Sequence, residues 1–120
     1  GGETWSAIQH DGQLVESVCQ ASILNFGIYK GEQMHLFSNP AVPSGRTHMT
    51  LKISFDDCKS WSNSRLIHQG PSAYSCLVKL KNGQVGLFFE CGTKNAYETL
   101  RFVSFPGSEP FRSGTLLTNR

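Results

Sequence analysis

The stretch GPSAYSCLVKL, residues 70–80, sets a bulky phenol among small residues. Tyr74 stands between Ala73 and Ser75 at the mouth of an apolar-alternating run, Leu77, Val78 and Leu80. Packing alone accounts for many tyrosines at strand entries. Small neighbours on both sides, however, leave room for another group to reach the hydroxyl. A free phenol has a pKa of about 10, so covalent chemistry there needs a base beside it. The other reactive side chains are scattered. Cys19, Cys58, Cys76 and Cys91 form no C-x-x-C pair, and none of His10, His35, His48 and His68 stands at metal-ligand spacing from them. Buried thiols are therefore expected, with one disulfide left open and no zinc site. Cys76 is expected to point away from Ser75 and into the core by strand alternation. The histidines have no Ser or Cys nucleophile in a recognisable arrangement beside them, so surface or packing roles are expected. Asp56-Asp57 forms an acidic pair within a turn.

Short strands must position these groups. The chain has 120 residues, enough for one small domain. Eleven Lys and Arg against nine acidic residues leave a net charge of +2 without a basic stripe, so no nucleic-acid partner is expected. No apolar run approaches the ~18 residues of a membrane-spanning helix. The N-terminus lacks a charged-then-apolar leader, and the compartment stays open between secreted, lysosomal and cytoplasmic. Twelve glycines punctuate β-rich runs. ETWSAIQ, CQASILNF, QMHLFSN, RTHMTLKISF, SRLIHQ, SCLVKL, VGLFFE and YETLRFVSF each read as a strand. GIYKGE and PAVPSG read as loops. Asn82-Gly83 is the strongest local hairpin signal. After Pro106 the text turns rich in Gly, Ser and Pro, which suggests loop or tail.

A repeat underlies the strands. Gly2-Glu3-Thr4-Trp5 matches Cys58-Lys59-Ser60-Trp61 in shape, GEQMHLF echoes NGQVGLF, and Ser22-Ile23-Leu24 echoes Ser75-Cys76-Leu77. A period of about 50 residues with about four strands per unit is the signature of propeller blades. Ser54-Phe55-Asp56-Asp57-Cys58-Lys59-Ser60-Trp61 resembles the Asp box, Ser-x-Asp-x-Gly-x-Thr-Trp, a hairpin turn between the third and fourth strands of a blade. Asp56 is expected to accept hydrogen bonds from backbone N–H groups of the turn. Trp61 is expected to fold against the hairpin. Cys58 occupies the pattern's glycine, a positive-φ position, at a cost of about 1–2 kcal/mol if the geometry is kept. GGETW reads as the end of another Asp box.

Between Ser38 and Glu90 the likeness becomes specific. Arg46 in SGRTHMTLKIS, the Asp box, AYSCL, GLFFECG and YETLRF follow one another as in the closing blades of the exo-sialidase family, which the chain resembles to about residue 105. The resemblance implies an all-β fold, a partial β-propeller of about two blades of a six-bladed ring. Residues 1–18 would end one blade, 19–70 form the next, 71–105 the last, and 106–120 a tail.

The resemblance also implies roles. Tyr74 matches the family's nucleophile. Sialic acid carries a carboxylate on its anomeric carbon, so an attacking carboxylate would meet charge repulsion that a neutral phenol avoids. A tyrosine nucleophile is the recorded sialidase departure from the two-carboxylate rule. Arg46, 28 residues earlier, matches one of three arginines that clamp the substrate carboxylate. A planar guanidinium suits that task because it can give two parallel, charge-assisted hydrogen bonds. Glu90 matches a glutamate that orients another arginine, which would lie outside this chain. Gln20 is a weaker candidate for lining the pocket, and Tyr97-Glu98 is expected to be structural.

The implied reaction releases terminal sialic acid, with retention, from glycoproteins, glycolipids or oligosaccharides. It needs no metal or organic cofactor. Two further arginines, an acid/base aspartate and the glutamate that activates the tyrosine precede this region in the family. Arg65, Arg101, Arg112 and Arg120 do not match them. The chain is therefore expected to be the C-terminal part of a sialidase, inactive without its remaining blades. Trans-sialidase chemistry and a non-catalytic, glycan-binding Asp-box propeller are the alternatives. Tyr74 together with Arg46 speaks against the binder, which has no use for a nucleophile.

Overall fold

The computed structural model describes residues 1–107. It contains six strands in consecutive antiparallel order: β1 (Ser22–Tyr29), β2 (Glu32–Pro40), β3 (Thr47–Ser54), β4 (Asn63–Lys79), β5 (Gln84–Cys91) and β6 (Thr99–Pro106). β1, β2, β3 and the first half of β4 pair as one sheet, and the second half of β4 pairs with β5 and β6 as another. SRLIHQ and SCLVKL, expected as separate strands, run together as the 17-residue β4. The chain leaves one sheet at Pro71, opposite Thr47, and enters the other at the next residue, Ser72, opposite Cys91. This is the all-β, partial-propeller architecture of about two blades that the repeat implies.

Alternation builds the core. Met34 and Leu36 of β2, Met49, Leu51 and Ile53 of β3, and Leu77, Leu87, Phe89, Val103 and Phe105 of the second sheet form one buried cluster between the sheets. β1 and β4 also meet directly. Leu77 N donates to Ser22 Oγ at 3.0 Å, and Lys79 Nζ to the Phe26 carbonyl at 2.8 Å.

The expected loop at GIYKGE shrinks to a two-residue turn. β1 continues to Tyr29, and Lys30 and Gly31 both take positive φ, 51° and 85°. That handedness matches the twist of the strands it joins. The Asn82-Gly83 hairpin forms, and Asn82 Oδ1 accepts the Gln84 N–H at 3.1 Å.

ETWSAIQ forms no strand: residues 1–21 are irregular. Trp5 is 86% exposed and donates only to the Gly2 carbonyl, whereas Trp61 is buried. An extended segment becomes a stable strand only beside a partner whose backbone groups it can pair with, and no described strand lies beside residues 3–9. The tail expected over 106–120 lies outside the described residues from position 108 onward. Pro106 itself closes β6.

Candidate active site

The Asp-box turn forms as its residue types require. Ser60 donates to Asp56 from its backbone N–H at 2.9 Å and from its hydroxyl at 2.6 Å. Ser54 Oγ donates to Asp56 at 2.8 Å and accepts the Cys58 N–H at 2.9 Å. These donors, led by the Ser60 hydroxyl, hold the Asp56 carboxyl down at about 2. Asp57 and Cys58 both take positive φ, 56° and 63°, so the cysteine keeps the glycine conformation. Trp61 packs on Phe37 at 5.6 Å, and its indole N–H donates to Asp11 at 3.1 Å. The turn braces the hairpin, and its hydrogen bonds go to neither Tyr74 nor Arg46.

Tyr74 is placed by a β-bulge. Ser72 pairs with Cys91 and Ser75 with Phe89, so Ala73 and Tyr74 together oppose the single residue Glu90. A bulge adds one unpaired residue and re-aims its side chain. Here it buries Ala73 completely and leaves Tyr74 51% exposed. It also frees the Tyr74 N–H from the ladder, and Glu90 Oε2 accepts that N–H at 3.1 Å. Below the bulge the alternation resumes with Ser75 and Leu77 inward. Cys76, expected in the core, is therefore exposed, because the inward Leu77 turns its neighbour outward. Ser75 exchanges two 3.0 Å bonds with the Gln20 side-chain amide through its own N–H and carbonyl.

Arg46 stands just before β3 with φ of 43°, between Gly45 at 91° and, two residues on, His48 at 61°. Backbone in this region is unfavourable for residues with side chains, and such positions concentrate at functional sites. The Arg46 carbonyl accepts the Ser72 N–H at 2.9 Å, which ties it to the start of the bulge. Its guanidinium carbon lies 5.8 Å from the centre of the Tyr74 ring, within cation–π range. Nη2 donates to the Val18 carbonyl and Nη1 to the Tyr97 hydroxyl, both at 2.8 Å. The Tyr97 bond, then the nearby Cys19, raise the arginine's pKa further.

The three residues singled out from the sequence thus come together. Tyr74 touches both Arg46, through its ring, and Glu90, through its backbone. Gln20, Tyr74, Cys76, Phe88, Glu90 and Leu100 line a groove of about 360 Å³. Tyr97, expected to be structural, meets Arg46 through a contact that the sequence did not suggest. Glu98 beside it is structural as expected, accepting the N–H groups of Thr93, Lys94 and Asn95, with Thr93 contributing most to its lowered pKa. All four cysteines are unpaired. Among the described residues no cluster of His, Cys, Asp or Glu could hold a metal.

No family model matches the chain. It is 34% identical over 98 residues to a sialidase of Bacteroides fragilis, covering 74% of this chain and 18% of the relative. It is 31% identical over 113 residues to a sialidase of Micromonospora viridifaciens, covering 89% and 17%. A leech intramolecular trans-sialidase, solved in complex with 2,7-anhydro-Neu5Ac, superposes with a TM-score of 0.77 at 25% identity, covering 88% of this chain and 19% of that one. The chain spans less than a fifth of the length of these two curated relatives. By sequence identity over that span, and by a fold that superposes on the leech enzyme, it belongs to the sialidase family.

Proposed function

We propose that this chain supplies the nucleophile and one carboxylate-binding arginine of a retaining exo-sialidase. The substrates are sialylated glycoproteins, glycolipids or oligosaccharides, and the remaining blades of the parent propeller complete the site. One observation carries the reading: the Arg46 guanidinium lies 5.8 Å from the ring centre of the exposed Tyr74. In this reading residues 19–70 and 71–105 are consecutive blades, residues 1–18 end the preceding one, and 106–120 form a tail.

The chemistry follows from these groups. Arg46 receives the sugar carboxylate through a charge-assisted fork. That fixes the anomeric carbon near the Tyr74 oxygen. A glutamate outside this chain takes the phenol proton. The oxygen then bonds to the anomeric carbon as the bond to the aglycone oxygen breaks, and an acid outside this chain protonates the departing oxygen. Water, giving a proton to that same acid group, then displaces the tyrosine oxygen from the face the aglycone left. The glutamate returns the proton to the phenol, and the two inversions give net retention. Glu90 anchors the Tyr74 backbone with one oxygen and has acceptor capacity for an arginine from another blade.

A second reading, sialyl transfer, is favoured by the leech neighbour, in which an intramolecular trans-sialidase is bound to an anhydro sugar. It uses the same glycosyl-tyrosine and differs only in the acceptor. Product analysis by NMR separates the two: free sialic acid marks hydrolysis, and an anhydro or transferred sugar marks transfer.

The test of the nucleophile is Tyr74→Phe in the full-length protein. Turnover of a fluorogenic sialoside should fall about a thousandfold or more, with sialic acid binding still measurable. Undiminished turnover would remove Tyr74 from the mechanism and place the attack on another group.

A further inference from the structure

The Tyr97 hydroxyl lies on the Arg46 fork, and nothing in its own packing explains why. The ring is exposed, and its hydroxyl accepts the Nη1 hydrogen bond at 2.8 Å. A tyrosine placed for packing would bury its ring. This one hangs from a loop built to hold it. Glu98 gathers the N–H groups of Thr93, Lys94 and Asn95, and Asn95 Oδ1 accepts the Tyr97 N–H at 2.8 Å.

We propose that Tyr97 is a positioning residue that holds the Arg46 guanidinium ready for a carboxylate. This rests on the reading of Arg46 given above and adds a residue to it. The donor inventory supports the role. A guanidinium has five N–H groups. One goes to Tyr97 and one to the Val18 carbonyl, which leaves three, enough for a bidentate carboxylate. The Tyr74 ring borders the guanidinium at 5.8 Å and restricts its tilt. Three contacts from three separate segments therefore define where the fork points before any ligand arrives. Preorganising a long, flexible side chain in this way strengthens binding because less freedom is lost on association. Tyr97 does not touch the substrate in this scheme; it acts through Arg46.

The experiment compares two ligands on the full-length protein. N-acetylneuraminic acid presents the carboxylate, and its carboxamide analogue is nearly the same size but neutral. Dissociation constants for both are measured in wild type, Tyr97→Phe and Arg46→Lys. The reported quantity is the preference for acid over amide. It is a ratio within one variant, so partial unfolding cancels. Tyr97→Phe keeps the ring and removes only the hydroxyl; the preference should fall about tenfold, the scale of one lost hydrogen bond to a charged group. Arg46→Lys should lower it at least as far. A wild-type ratio in Tyr97→Phe beside a reduced one in Arg46→Lys would overturn the role of Tyr97 and leave Arg46 standing. A wild-type ratio in both variants would remove the carboxylate reading of Arg46 and Tyr97 with it.

Discussion

Asp56 uses both carboxylate oxygens on one turn, and the turn depends on its charge. Its pKa is lowered to about 2 by the Ser60 hydroxyl and the N–H groups around it. A depressed carboxyl contributes stability that is fully present above the ordinary aspartate value of about 4 and is lost as pH falls through the folded value. Asp56→Asn keeps one acceptor oxygen and discards the charge. Its melting temperature should therefore lie below wild type at neutral pH, and the gap should close as pH drops from about 4 towards 2. A gap independent of pH would mean that the carboxylate's charge does not matter to the turn. Asp56 and Trp61 were readable in the sequence because every partner of Asp56 lies within four residues. The Arg46–Tyr97 bond was not, because it spans 51 positions and depends on how two loops meet. Cys76 was misassigned to the core because alternation gives the period of a strand but not which phase faces inward.

At the scale of elements, one bulge and one loop do most to arrange the site. The bulge at Ala73-Tyr74 turns the phenol outward and hands its N–H to Glu90. The loop between β5 and β6 carries Tyr97 to Arg46. Its first residue, Gly92, has no room for a side chain. A Cβ there would lie 2.0 Å from the Asn95 carbonyl and 2.8 Å from Glu98 Oε2. Gly92→Ala should force this loop open, release the Glu98 cap and pull Tyr97 away from Arg46, while β2 and β3 stay intact. Hydrogen exchange is the check. Amides of Thr93, Lys94 and Asn95 should lose protection, and those of Leu36 and Leu51 should keep it. Most strands were readable from their apolar alternation and turn residues. The bulge was not, since its register is set by the partner strand. ETWSAIQ misled for a related reason: it has the composition of a strand without a neighbour to pair with.

Across the whole molecule, the second sheet is apolar on both sides. Its inner face joins the common core, and its outer face shows Val78, Phe88, Leu100 and Phe102, with Phe88 directly opposite Phe102. Contiguous exposed apolar surface of this kind promotes association. The 120-residue chain alone should self-associate, with a sedimentation coefficient that rises with concentration. Phe88→Lys combined with Phe102→Lys should return it to monomer. If the doubly substituted chain still associates, the open strand edges are responsible instead.

β4 has a consequence of its own. Because one uninterrupted ribbon is stitched into both sheets, neither can come apart privately. A tug on the edge paired with β3 is passed along the same backbone, through Pro71, to the seat of the phenol. The Tyr74 oxygen is thus moored to a girder rather than hung on a flap.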